Sequence, residues 1–192
     1  MEIFAHKGNI FDLLTDNTCD AIIVWVRGNA TCIGTDWRIF RSKYPELEER
    51  FSFHAKMCRD HHSVPIHLNI NGIKKYIYFL RNEAEEDCIS DSRLVLQLIS
   101  AMKILVSLSC TKIGLNGARP LNIKYGLPDD DTETRKEKAE HNNALYRERV
   151  DLIVDLLQSF HVQTGHTLSV HLISKNDVFI NNIKHQFVFK PG

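Results

Sequence analysis

Cys19-Asp20-Ala21-Ile22-Ile23-Val24-Trp25-Val26 runs directly into Arg27-Gly28-Asn29. A nearly unbroken β-branched and aromatic run of this length, stopped by a turn signal, reads as a strand covered on both faces. Strands of a parallel sheet have that character because helices lie on either side of them. From Asp36 the period changes. Trp37, Phe40, Tyr44, Leu47 and Phe51 recur at steps of three and four, with Arg38, Arg41, Glu48, Glu49 and Arg50 on the opposite side. That spacing predicts an amphipathic helix, which Pro45 divides into two pieces.

The same alternation extends outward in both directions. Residues 3–7 form a short apolar strand ending at Gly8. Residues 64–70 alternate, and Asn71-Gly72 is the strongest short hairpin signal in the chain, followed by a second strand over 73–80. Ser90 and Asp91 are N-cap candidates for a helix through Leu108, with Leu94, Leu98, Ala101, Leu105 and Leu108 along one face. Residues 112–115 form a short strand running into Asn116-Gly117. A polar insertion spans about 124–146; its Asp129-Asp130-Asp131 and following mixed charges suit an inserted loop or a solvated helical extension. Residues 147–160 predict an amphipathic helix and 167–173 a strand. Residues 178–180 and 186–190 predict a terminal hairpin over 178–190. The expectation is an α/β fold of three layers, α/β/α, with a mixed, mainly parallel central sheet in one domain over 1–192.

Bulk properties narrow the function classes. The 192 residues are 43% hydrophobic and 25% charged, with zero formal net charge. A protein that grips nucleic acid through many phosphates normally carries a basic surplus, and none is present, so direct nucleic-acid binding is not indicated. No uncharged apolar run reaches roughly the eighteen residues of a membrane span, and the N-terminal residues show no leader-like apolar stretch. The five cysteines (Cys19, Cys32, Cys58, Cys88, Cys110) are odd in number and lack C-x-x-C spacing. They suit reduced, buried thiols in a cytoplasmic compartment.

In open α/β sheets, ligands bind beyond the carboxyl ends of the strands. Two loops stand there. The first, residues 27–36, contains Arg27, Asn29, Thr31, Cys32, Ile33 and Gly34 and opens onto a helix N-terminus. The second, residues 115–122, contains Asn116, Gly117, Ala118 and Arg119. Glycine lets backbone N–H groups approach an anion, and a helix N-terminus favours one. The plainer reading is that each loop is a tight turn whose Gly and Asn satisfy unusual backbone angles.

The order of these segments resembles a macro domain. Gly8-Asn9-Ile10, then Cys19-Asp20-Ala21-Ile22-Ile23-Val24, a loop, and a helix ending Tyr44-Pro45-Glu46-Leu47-Glu48-Glu49 resemble that family's opening. Ile113-Gly114-Leu115-Asn116-Gly117-Ala118 stands where the family has its second phosphate loop. The likeness covers roughly residues 1–175, by order and spacing more than by identity. It implies a site for ADP-ribose or an ADP-ribose-containing nucleotide, free or on a macromolecule. Asn9 and Ile10 would flank the adenine. Backbone N–H groups of Thr31–Gly34 and Asn116–Arg119 would hold the diphosphate, with Arg27 or Arg119 pairing to it. No cofactor is implied. Stand-alone divergent domains of this size resemble those of large bacteriophages and bacteria, which for a viral protein means the host cytoplasm.

The sequence also departs from the family pattern. The aspartate that recognises adenine is replaced by Asn9, which accepts a hydrogen bond without bringing charge. Read without gaps, the first loop puts Val24 and Arg27 where hydrolytic members carry asparagines; Asn29 substitutes only if the turn is rebuilt. Where one branch places a catalytic lysine, this chain reads Leu80-Arg81-Asn82, and an arginine stays protonated and cannot be a nucleophile. Asp36 is the nearest candidate for a catalytic acid or base.

Three function classes follow: an ADP-ribose-type binding module, an ADP-ribosyl or ADP-ribose 1″-phosphate hydrolase, and a protein-interaction domain with a decayed nucleotide pocket. His54, Cys58, His61 and His62 have helical chelating spacing but no second ligand pair, so no metal is assigned. Cys32 is the one cysteine at a strand-to-helix turn, with no histidine partner singled out. Trp25 and Trp37 read as core, with Trp37 near enough to the first loop to flank a ligand.

Overall fold

The computed structural model describes residues 1–26, 35–47, 50, 65–81, 88–117, 119–175 and 177–188. Among these described residues the strands are β1 (Glu2–Lys7), β2 (Ala21–Val26), β3 (Ile66–Ile70), β4 (Ile73–Arg81), β5 (Lys112–Asn116) and β6 (Ser169–Ser174). The helices are α1 (Asp12–Thr15), α2 (Thr35–Lys43), α3 (Asp91–Ser107), α4 (Thr132–Thr164) and α5 (Asp177–Val188). The strand order is β1-β6-β5-β2-β4-β3. Every pairing is parallel except β3 with β4. This is the mixed, mainly parallel sheet in three layers that the alternating pattern predicts.

Each layer follows from local chemistry. Ala21, Ile22, Ile23 and Val24 of β2 are buried, as are Ile77, Tyr78, Phe79 and Leu80 of β4, because helices cover both faces of these strands. One face packs against Leu94, Leu98 and Leu105 of α3, Val150, Ile153 and Leu157 of α4, and Phe179 and Ile183 of α5. The other packs against Leu13 and Leu14 of α1, Trp37 and Phe40 of α2, and Leu47. The β3–β4 turn has Asn71 at φ 52° and Gly72 at φ 80°, the two positive angles that a two-residue hairpin of right-handed twist requires.

One expectation needs amendment. The predicted terminal hairpin over 178–190 is the helix Asp177–Val188. Phe179, Ile180 and Ile183 are buried together at helical spacing, and short apolar runs do not distinguish the two periods by themselves. Of the two forms expected for the polar stretch, the residues from Thr132 onward take the helical one, in a single 33-residue helix that continues through the amphipathic stretch. Asp131 caps it by accepting from the Thr134 backbone N–H at 2.7 Å, and Gly165, at φ 68°, ends it. Pro45 falls just beyond α2, which ends at Lys43, and Leu47 returns to the core by a turn through its N–H to Tyr44 O at 3.0 Å.

The amino ends of the central strands are fixed by polar contacts. Asp20 Oδ2 accepts from Thr111 N and Lys112 N, each at 2.9 Å, and from Thr111 Oγ1 at 3.2 Å. Partial burial opposes ionisation of Asp20, but these donors together hold its carboxyl below the usual aspartate value. Lys75, buried on β4, donates to Asn17 Oδ1 at 2.5 Å and Cys19 O at 2.7 Å. With these ends aligned, the carboxyl ends of β1, β6 and β5 finish side by side.

Candidate functional site at the strand ends

Beyond those carboxyl ends lies a depression of about 170 Å³. It is lined by Gly8 and Ile10 after β1, Asn116 and Gly117 at the end of β5, Ile173, Ser174 and Lys175 at the end of β6, and Asp36 in the first turn of α2. Segments far apart in the chain thus converge, as the strand-end rule for open α/β sheets requires. The parallel register brings them together: Lys7 pairs with Ser174 and Asn116 with Ile173.

The polar groups of the depression are specific. The Asn116 backbone carbonyl accepts from Trp25 Nε1 at 3.1 Å, while its side-chain Oδ1 is buried and has no hydrogen-bond partner among the described residues. An unsatisfied buried acceptor costs about 1–3 kcal/mol, a cost that a ligand's hydroxyl or amine would relieve. Asp36 and Lys175 form an ion pair, with the Lys175 side chain 64% exposed and Asp36 34% exposed. Lys7 and Asp177 form a second, more exposed pair at 2.6 Å beside it.

Of the residues expected to bind ligand, Ile10, Asn116 and Gly117 line the depression, together with Asp36. Asn9 does other work. Its Oδ1 accepts from Phe11 N at 3.0 Å and its carbonyl from Asp12 N at 3.1 Å, a side-chain turn that starts α1. The Gly117 amide, expected to face an anion, instead donates to Ile173 O at 3.2 Å and extends the β5–β6 ladder. Arg119 is turned toward Tyr125, donating to its hydroxyl at 2.8 Å and lying over its ring at 5.6 Å. Arg27, Asn29, Thr31, Cys32, Ile33, Gly34 and Ala118 lie outside the described residues, as do Asn82 and His54, Cys58, His61 and His62.

Trp37 is 2% exposed, tilted against Phe11 and edge-on to Phe79, so it belongs to the core. Among the described residues, no group of three or more His, Cys, Asp or Glu is placed to hold a metal, and no helix is long and apolar enough to cross a membrane. Burial pushes the Cys19 thiol up to about 12 and the Cys110 thiol to about 11, with Asp20 adding to both. Such thiols are poor nucleophiles at neutral pH.

Sequence reasoning missed Ser174 and Lys175. The rule that found the other loops points to the end of β6 as well, but the expected hairpin just beyond it hid the strand-to-helix junction.

A mainly parallel sheet with a crevice at its strand ends is a ligand-binding class of α/β fold. More narrowly, the chain has the macrodomain fold. It is similar to the Trypanosoma brucei macrodomain solved in complex with ADP, at a TM-score of 0.63 and 12% identity, over 96% of this chain and 68% of that one. It is similar to the macro domain of ganglioside induced differentiation associated protein 2, at 0.62 and 14%, over 97% and 82%. It also matches a mutant of the Oceanobacillus iheyensis macrodomain solved with ADPR, at 0.59 and 13%, over 96% and 91%. At these identities the likeness is one of fold. No protein-family model matches the sequence, and no curated protein sequence matches it.

Proposed function

We propose that this chain binds ADP-ribose, or a related nucleotide containing it, at the carboxyl ends of β1, β5 and β6. The observation that carries the reading is the convergence of Ile10, Asp36, Asn116, Gly117 and Lys175 on one depression. The Trypanosoma brucei macrodomain in complex with ADP-ribose, similar at a TM-score of 0.60 over 97% of this chain, adds support from the fold. Asn116 Oδ1 offers an acceptor for a ribose hydroxyl or an adenine amine, and Lys175 offers a cation for a phosphate. At about 170 Å³ the depression is smaller than sites enclosing a whole drug-sized ligand, commonly about 300–1000 Å³, so it holds part of the nucleotide.

A protein-interaction domain with a decayed pocket is the second reading. It is favoured by the Gly117 amide being spent on Ile173 and by Arg119 being turned to Tyr125. Titration calorimetry with ADP-ribose separates the two. Saturable heat at micromolar to millimolar ligand supports the binding module, and no heat up to about 1 mM, equivalent to binding weaker than about −4.1 kcal/mol, rejects it. Hydrolysis has less behind it, since the candidate Asp36 is paired to Lys175. Release of ADP-ribose from modified protein or DNA, or of phosphate from ADP-ribose 1″-phosphate, would restore it.

A further inference from the structure

Among the described residues lining the strand-end depression, Asp36 and Lys175 are the charged ones, and they are paired with each other. This lining therefore carries no net charge, which is an unusual setting for a diphosphate. Asp36 adds to this, because it occupies the first turn of α2, a nine-residue helix whose amino end would otherwise attract an anion. A carboxylate at that point spends the helix's partial positive charge on itself. An incoming phosphate meets one attractive group already engaged and one repulsive group close beside it.

We propose that the Asp36–Lys175 ion pair is an exchangeable gate that sets the affinity of this depression for phosphate-bearing ligands. The ligand's phosphate displaces Asp36 as the partner of the Lys175 ammonium, and Asp36 is left as a standing repulsion that keeps the affinity low. The inference rests on the nucleotide-binding reading of the same site. Exchange is feasible because both side chains reach solvent, where an ion pair is worth little and can be broken by a better partner. A diphosphate, with one negative charge on each phosphate and several acceptor oxygens, is such a partner for a single ammonium.

The two residues then have opposite effects, which a merely structural pair would not. Lys175→Gln weakens binding of ADP-ribose by about 5- to 10-fold, a charge-assisted bond discounted for exposure. Asp36→Asn strengthens it by about 3- to 10-fold at low salt, as expected for removing a like charge near the surface. Both effects shrink as sodium chloride is raised toward 1 M, where the screening length is about 3 Å. Lys7→Gln is the control. It removes the same charge from the neighbouring pair with Asp177, outside the depression, and changes affinity by less than about 2-fold.

The experiment is calorimetric titration of the full chain and the three variants with ADP-ribose, and with adenosine as a ligand without phosphate. The expected result is opposite shifts for Asp36→Asn and Lys175→Gln with ADP-ribose, and none with adenosine. If the unsubstituted chain binds ADP-ribose but Asp36→Asn weakens it, or Lys175→Gln matches Lys7→Gln, the gate is overturned while the nucleotide reading stands. If the unsubstituted chain binds no ADP-ribose, both are overturned.

Discussion

Gly117 joins the fold to the site, and its replacement by alanine tests both. A Cβ built on Gly117 meets Cδ2, Cε1 and Cε2 of Phe179, each at 3.2 Å. Carbon atoms are most favourably spaced at about 3.5–4.0 Å, so three contacts are compressed at once. The ring has little room to yield. Phe179 is 1% exposed and stands edge-on to Tyr146 of α4, with centroids 6.5 Å apart. Overpacking of this kind costs about 1–3 kcal/mol, and a single methyl belongs in the lower part of that range, about 1–2 kcal/mol. For a chain of 192 residues, each kcal/mol lowers Tm by about 2–4 °C, so Gly117→Ala should melt about 2–8 °C lower by far-UV circular dichroism. Pairing it with Phe179→Leu should recover part of the loss through a coupling of at least about 0.5 kcal/mol, since residues in contact do not act additively. An unchanged Tm for Gly117→Ala, or strictly additive losses in the double variant, would show that β5 and α5 do not meet as described. Because Gly117 N also bonds Ile173 O, the same displacement should weaken nucleotide binding.

Two further outcomes concern the edges of the sheet. His6 Nε2 and His171 Nδ1 lie 2.8 Å apart between β1 and β6, and burial, then His6 and then Lys112, hold the His171 pKa below the ordinary value of 6.5, with Asp16 opposing. The unfolded chain therefore binds a proton that the folded chain resists, so stability is complete above about pH 6.5 and declines as the pH falls below it. The urea midpoint should drop between pH 7 and pH 5, and His171→Phe should flatten that drop; equal slopes for the two proteins would refute the assignment. Gly72→Ala should cost about 1–2 kcal/mol from its left-handed φ of +80° alone, because nothing lies within 4 Å of the added Cβ. A urea denaturation midpoint unchanged by that substitution would mean the turn relaxes into another form.

The central strands and the β3–β4 hairpin were legible because one physical signal decided each. In β2 it was unbroken burial, and at Asn71-Gly72 it was a pair of positive backbone angles that few residues other than Asn and Gly tolerate. Residues 177–188 were not legible, because Val178, Phe179 and Ile180 satisfy either period until Ile183 is known to pack with Phe179 and Ile180. At the site, Asp36, Asn116 and Gly117 followed from the strand-end rule, which needs only topology, and Ile10 from the family resemblance. What each residue does there was harder to read. Whether the Gly117 amide faces a ligand or Ile173, and whether Arg119 reaches outward or lies on Tyr125, depends on contacts between residues distant in sequence or on rotamers that local spacing does not encode.

Where an anion is held by backbone amides at a glycine turn, the site depends on a few residue identities and fails when they are replaced. Among the described residues of the lining, the Gly117 amide is part of the ladder, and the polar side chains present include Asn116, whose buried Oδ1 has no partner among them, and Lys175, whose ammonium is shared with Asp36. Side-chain recognition of that kind selects on different chemistry. On the proposed reading, Asn116 should discriminate for a donor, because a ligand lacking one leaves the buried oxygen unsatisfied at about 1–3 kcal/mol. Under the same proposal, Lys175 should add affinity only to the extent that the phosphate outcompetes Asp36. Selectivity in this depression should therefore rest more on the hydrogen-bonding groups of the ligand than on its charge, the reverse of the order expected for a site built from glycine-loop amides.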